Sequence, residues 1–367
     1  MSEHRFTDVS GAAPPGDPDF WQPVIFRAAE IDAEIGRLCD IPRPANGRRT
    51  SVFTHPRSPS ESPSLAPGIR VSLEVLLPGE RTTPVRHTST QVGFCVRGSG
   101  TVEFEDRSIE IARYDAWNHP SWQPYAIRND SAEPFVRFTY SNAPLLERLS
   151  VHLVDDAVEM SAADHRADET TDPDEADANR TSPYGTFELG DGAMLMPYET
   201  LINPPSLPSR ALHWPWVDVK GHLDQLEALG DSYVGRRLYL LYNPLTGRTN
   251  GTTPSFFATI TIRPPSIVDR PHRHVSAAIN YFFHGSGWSR VGGQRYEWSA
   301  GDLMLTAPGW MIHHHASGDD SHVYELTVQD QPMNIAMESL LWQEDLKRPA
   351  RVLGSEPGFA TNRVVPA

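Results

Sequence analysis

Apolar and polar residues alternate at period two in nine short runs of this chain, a spacing that sends successive side chains to opposite faces of a strand. Four runs lie in the first half: IRVSLEVLL (69–77), QVGFCVRG (91–98), GTVEFED (100–106) and PFVRFTYS (134–141). Five lie in the second: FFATITIR (256–263), AAINYFFHG (277–285), GWSRVGG (287–293), DLMLTAP (302–308) and HVYELTVQ (322–329). Each half carries a Gly-Ser-Gly corner, Gly98-Ser99-Gly100 and Gly285-Ser286-Gly287. The pattern predicts one β-rich unit present twice. Helical periodicity is confined to two stretches, DPDFWQPVIFRAAEIDAEIGRLCD (17–40) and KGHLDQLEALG (220–230). Thirty-three prolines and 26 glycines break up the apolar runs, which favours tight turns over long helices.

Charge divides the chain. Ten acids and two arginines between Asp155 and Arg180 give that run a net −8 out of the whole chain's −15. Such a run has too little apolar content to order itself and reads as a solvated tether. The expected division is therefore 1–154 for a first unit, 155–185 for the acidic linker and 186–367 for a second unit. The acidity argues against a phosphate-tracking nucleic-acid binder. Cys39 and Cys95 exclude a disulfide scaffold, and Cys95, inside a strand-like run, reads as a small buried apolar residue. The N-terminal segment lacks the basic start and apolar run of a secretory signal. No apolar stretch reaches the roughly 18 residues that span a bilayer, so the expected location is the cytoplasm.

Fifteen histidines matter only where some converge. His272 and His274 flank Arg273 at the start of a strand-like run, so both imidazoles face one side. Beyond the Gly301-Asp302 turn and the Pro308-Gly309 corner stands His313-His314-His315, in which residues 313 and 315 again share a face. A small barrel that brings an HxH pair to a later histidine can cap one face of a metal and leave other positions open, as O₂-activating iron requires. His314 faces the opposite way and reads as structural or solvent-facing.

The spacing of HxH, Gly-Asp, Pro-Gly and His resembles the cupin pattern, and its duplication makes the chain resemble a bicupin. Residues from about 195 to 343 resemble more narrowly the iron-bearing cupin of the gentisate 1,2-dioxygenase family. The matching segments are LHWPW (212–216), Arg236-Arg237 through Asn243-Pro244, PHRHVSAA (271–278), GDLMLTAPGW (301–310) and the triple histidine. The resemblance implies an all-β fold of two double-stranded β-helix barrels with few helices. It implies Fe(II) held by His272, His274 and His313, with O₂ as co-substrate. It also implies that His315 acts beside the metal in proton transfer or substrate orientation. Ala277 and Ala278 stand where other cupins place a carboxylate ligand, which leaves an all-histidine set.

Two departures stand out. The family commonly carries an arginine where this chain has Asn280, and an aspartate at the equivalent of Thr327. Alternation aims Glu325 inward with Val323 and Thr327, either as a ligand or as the partner that orients an imidazole. The competing reading is a salt bridge from Glu325 to Arg290 or Arg295 at the rim. His315 and Glu325 are the natural candidates for a second iron, as in the bicupin diiron monooxygenase of platensimycin and platencin biosynthesis, which the sequence resembles in this respect.

Three functions are therefore in view. The first is a mono- or diiron monooxygenase hydroxylating a bulky apolar metabolite such as a diterpenoid, with His315, Glu325 and Asn280 at the chemistry and an external electron donor. The second is a gentisate- or salicylate-type ring-cleaving dioxygenase, and the third a non-catalytic bicupin that binds a ligand or stores metal. The expected partners are a small-molecule substrate and further copies of the chain, as a dimer or tetramer, with no nucleic acid and no membrane. The first unit keeps only His87 of its HxH, has Tyr125 at the last ligand position, and places His119 at a turn, so it reads as metal-free. The arginine-rich stretch 41–60 reads as a loose surface arm. Trp288, Trp298, Met304 and Trp310 read as barrel core or pocket wall.

Overall fold

Several of the alternating runs are apolar on both faces, and such strands must be covered on both sides. The computed structural model, which describes residues 6–13, 16, 18–160, 186–198, 202, 204, 209–230 and 236–359, shows how. All nine runs form strands, arranged as two barrels packed back to back. The second barrel joins a six-stranded sheet, ordered Val24–Phe26, Leu303–Ala307, Ala278–His284, Val323–Gln329, Phe257–Arg263 and Leu238–Leu240, to a three-stranded sheet of Gln294–Ser299, Ser286–Val291 and His313–Ser317. The first barrel repeats the plan. Its six strands are His213–Trp214, Ala116–His119, Gln91–Arg97, Phe135–Ser141, Arg70–Leu76 and Arg49–Phe53, and its three are Ser108–Ile111, Gly100–Phe104 and Tyr125–Arg128. Every ladder within these sheets is antiparallel.

The two large sheets share one apolar core through their outer faces. Ile279, Tyr281 and Phe283 point outward and meet Phe94, Phe138 and Tyr114 of the first barrel, with the Phe138 and Tyr281 rings 4.8 Å apart. On the same strand, Ala278, Asn280 and Phe282 point into the second barrel. This is why the run AAINYFFHG is nearly apolar throughout: one face belongs to the joint, the other to the barrel interior. The interior is tiered. Phe282 stacks on Trp298 at 3.8 Å and packs with Met304 and Val323 as an apolar floor, and polar side chains sit above it.

The barrels also exchange strands. Val24–Phe26, near the N-terminus, pairs with Leu303–Ala307 of the second barrel, and His213–Trp214 pairs with Ala116–His119 of the first. Each exchange is held by one buried aspartate at the start of the helix that follows. Asp302 accepts from the Ala28 backbone N–H (2.8 Å) and from Arg27 (2.9 Å), ahead of helix Ala28–Asp40. Asp115 accepts from the Trp216 N–H (2.7 Å) and bonds His213 (2.8 Å), ahead of helix Trp216–Ala228. The expected first helix is therefore shorter than its periodicity suggested: Pro23 precedes an extended stretch recruited into the distant sheet. The exchange runs across the expected linker, of which 161–185 lies outside the described residues.

Two further points differ from the sequence reading. Residues 41–60 are not a loose arm: Arg49–Phe53 is a sheet strand, and the buried Arg49 pairs with Glu80. His119 is not at a turn but ends the strand Ala116–His119, buried. The corner glycines 98 and 285 have φ of 74° and 78°, and a Cβ on either would collide with a carbonyl of the facing strand. Cys39 and Cys95 are both free, and burial pushes the Cys95 thiol up to about 12. Among the described residues, no helix is long and apolar enough to cross a membrane.

Candidate metal centre

The three histidines of the sequence pattern meet. His272 and His313 face each other across a two-residue bridge, each N–H bonded to the other's carbonyl at 3.1 and 2.9 Å. His274 ends the short strand Arg273–His274. The ligand atoms of the three rings lie within 4.8 Å of one another, and all three side chains are buried.

Their hydrogen bonds fix their chemistry. The Nδ1 atoms of His272, His274 and His313 lie 3.0, 2.9 and 2.9 Å from the carbonyls of Arg270, Ser276 and Met311. A carbonyl only accepts, so each Nδ1 carries the proton and each Nε2 keeps its lone pair. Burial opposes protonation further. It holds His272 and His274 well below the usual imidazole range and His313 down to about 4, helped by the neighbouring rings or by Arg236. Three neutral, oriented imidazoles with converging lone pairs fit a divalent transition metal, and the backbone carbonyls supply the orienting bonds such ligands need. Trp342 packs its ring 4.6 Å from His274 and 6.0 Å from His272, and anchors its N–H on Glu344 at 2.9 Å.

His315 differs. Its Nδ1 lies 2.8 Å from Ser289 Oγ, which already accepts the Trp298 indole N–H at 2.9 Å. Ser289 is fully buried, and among the described residues the acceptor for its hydroxyl proton is His315 Nδ1. Trp298 thus turns Ser289, and Ser289 donates to His315. A neutral His315 then carries its proton on Nε2, and its side chain lines the same cavity as the triad. It is a hydrogen-bond donor, where the triad offers lone pairs.

Glu325 is inward, as alternation predicted, but its partner is neither Arg290 nor Arg295. Arg263 donates to Glu325 at 3.0 Å and to Asp269 at 3.0 Å. The other Glu325 oxygen accepts from Asn280 Nδ2 (2.6 Å) and from the Thr327 hydroxyl (2.8 Å), and Asn280 Oδ1 accepts from Thr306 at 2.5 Å. Both carboxylate oxygens are thereby engaged. The converging metal-competent cluster among the described residues comprises His272, His274 and His313, without His315 or Glu325. Alternation could have found Arg263, which shares a strand face with Thr261 and Thr259. Nothing in the sequence pointed to Asp269, Ser289 or Trp342 as members of the site. His314 faces away from the cavity, against Trp288.

Triad, His315 and this polar tier enclose a cavity of about 340 Å³, within the range of small-molecule sites. Arg236 and Arg237 complete its basic side. Arg236 pairs with Glu344 at 3.1 Å, and Arg237 donates to the Gly230 carbonyl at 2.9 Å.

The first barrel shows the same positions with other occupants. The bridge equivalent to His272–His313 is Val85–Tyr125, and His87 repeats His274, down to an Nδ1 contact with a serine carbonyl two residues on (2.8 Å). Its Nε2 lies 3.2 Å from the Tyr125 hydroxyl, so a phenol covers the lone pair that a metal would take.

Comparisons with known proteins agree with this architecture. Residues 72–139 match the cupin domain, and residues 257–358 match the AraC-like ligand binding domain. The chain is 24% identical over 306 residues to gentisate 1,2 dioxygenase 1 of Aquipseudomonas alcaligenes, covering 82% of this chain and 80% of that protein. It is 27% identical over 135 residues to 5-nitrosalicylic acid 1,2-dioxygenase of Bradyrhizobium sp, covering 36% of this chain and 65% of that one. The salicylate 1,2-dioxygenase of Pseudaminobacter salicylatoxidans superposes with a TM-score of 0.72 at 16% identity, over 93% of this chain and 94% of that one. The chain is therefore a bicupin by fold, two cupin barrels in one polypeptide, similar in sequence to a gentisate 1,2-dioxygenase and in fold to a salicylate 1,2-dioxygenase.

Proposed function

We propose that this protein is a mononuclear Fe(II), O₂-dependent ring-cleaving dioxygenase acting on a hydroxylated aromatic compound. The observation that carries the reading is the buried set of three Nε2 lone pairs opening onto a closed-floored cavity. The relatives, 1,2-dioxygenases by name, support the second of the three functions considered above, and neither a diterpenoid hydroxylase nor a second iron finds support among them. Bound by His272, His274 and His313, ferrous iron would supply the redox chemistry that couples O₂ to the ring.

The protein's own groups do the rest. Trp342 and the carbonyls behind the triad fix the imidazoles, which keeps their Nε2 atoms together as a set that would hold the iron. The aromatic floor keeps bulk water out from below. His315 presents Nε2–H toward the cavity, where it can hold an oxygen of the substrate or return a proton as the ring opens. A ring-cleaving dioxygenase draws all its electrons from the substrate, so it needs no external donor.

Metal content and product mass test this together. Protein purified with ferrous iron should hold about one iron per chain, and a panel of hydroxylated aromatics should include one consumed with O₂ to a product heavier by two oxygen atoms. Two irons per chain, or a product gaining one oxygen with a reductant required, would restore the hydroxylase.

A further inference from the structure

Resting on the metal-binding half of that reading, we infer that Glu344 is a positioning residue of the metal centre: it holds Trp342 against the rings of His272 and His274 and cancels the charge of Arg236 beside them. Trp342 stands directly across the ladder from His274. Its ring stacks within 18° of His272 and rests 4.6 Å from His274, and its indole N–H donates to Glu344 Oε2 at 2.9 Å. The same carboxylate accepts from Arg236, at 3.1 Å on Oε1 and 3.4 Å on Oε2. One acid therefore holds both an aromatic wall of the ligand set and a cation that lines the cavity with it.

Arg236 works against a metal unless it is matched. Next to burial, its charge is among the causes that disfavour a proton on His272, His274 and His313. A dication held by the same rings would meet that repulsion at twice the strength, and the burial of the rings limits screening by water. Glu344, itself 17% exposed, supplies the offsetting charge. The first barrel provides the comparison. Val154 stands across from His87 where Trp342 stands across from His274. Arg48 is the counterpart of Arg236, each lying four residues before the one that pairs with the third position of the next strand, Val52 with Ser72 and Leu240 with Thr259. Its guanidinium donates to Thr83 at 3.1 Å. The arginine is thus common to both barrels, whereas Trp342 and its bond to Glu344 belong to the barrel with three histidines.

The test titrates full-length protein with Co(II) as the probe, read by the visible absorption of the bound ion and by competition with a chelator. Glu344→Gln keeps an acceptor for the Trp342 N–H but removes the countercharge, so its Kd should rise at least ~10-fold. Arg236→Gln removes the repelling charge and should lower Kd several-fold. The double variant should return to within ~3-fold of wild type. The opposed signs separate charge balance from packing, since a merely structural pair would weaken binding in both single variants. Should Glu344→Gln fail to fold, Arg236→Gln decides alone. Unchanged affinity in Glu344→Gln, weaker binding in Arg236→Gln, or a double variant as weak as Glu344→Gln overturns the inference and leaves the metal reading in place. Wild type that binds no Co(II) refutes the metal reading, and the inference with it.

Discussion

Replacing Arg263 with methionine isolates the buried ion triad. The guanidinium is 7% exposed and bridges Glu325 and Asp269 at 3.0 Å each, with side-chain exposures of 4% and 17%. Methionine fills much of the same volume, so the cavity contribution is small and the loss is electrostatic. Removing one partner of a buried pair typically costs about 3–5 kcal/mol, because the remaining charge stays desolvated. Here Glu325 keeps its bonds from Asn280 and Thr327, and Asp269 can rotate toward water, which places the expected loss near the lower end, about 3 kcal/mol.

Urea unfolding followed by tryptophan fluorescence reads this directly, since Trp298 floors the same barrel. At a slope of about 3 kcal/mol per M, the midpoint should fall by roughly 1 M. The double variant Arg263→Met with Glu325→Gln should recover about 2 kcal/mol of that loss, because the neutral amide no longer needs a cation. A single variant within about 1 kcal/mol of wild type, or a double variant no better than the single, would refute the view that Arg263 is held chiefly to neutralise Glu325.

Two other predictions bear on the two barrels separately. Ser289→Ala removes the donor to His315 Nδ1 and orphans the Trp298 N–H, so kcat should fall about 10- to 100-fold with KM little changed, and ¹⁵N imidazole spectra should show His315 losing its single Nε2–H tautomer. Unchanged kcat and tautomer would remove His315 from proton transfer. In the first barrel, burial holds His87 at about 4 against 6.5 for the free side chain, so the unfolded chain takes up its proton first as pH falls. The stability this contributes is complete above 6.5 and lost toward 4. Between pH 7 and 4.5 the loss is about 2.5 kcal/mol, and His87→Gln should show a pH dependence shallower by that amount in the same urea measurement.

How much of this was legible from the sequence depends on the range of the interaction that decides it. The alternating runs became strands within a residue or two, because period two is a local consequence of which face is buried. The triad was legible because HxH and the later histidine carry their facing directions with them. Glu325's inward aim was legible for the same reason. Its partner was not, since choosing between Arg263 and the rim arginines requires knowing which strand lies alongside Val323–Gln329, and the ladder with Phe257–Arg263 sets that. The exchanged strands were invisible for a stronger reason. Val24–Phe26 is three residues long and pairs with Leu303–Ala307, so its extended form is decided by a partner far along the chain, whereas its local pattern continues the helix that follows.

Comparing the barrels with each other settles what the ion pair beneath the triad means. Arg137 and Glu325 are each the third residue of equivalent seven-residue strands, Phe135–Ser141 and Val323–Gln329. Both side chains point inward and both are buried, and each has a partner of opposite charge on the neighbouring strand: Glu74 for Arg137, Arg263 for Glu325. The polarity is reversed between the barrels, yet the pair persists. In the first barrel the equivalent positions hold Val85, His87 and Tyr125, and the Tyr125 hydroxyl lies 3.2 Å from His87 Nε2, so the ion pair there accompanies a single imidazole at those positions. A buried charge pair in this tier thus occurs both with and without the three-histidine set. What the barrels do not share is the converging lone pairs, and the chemistry follows that difference.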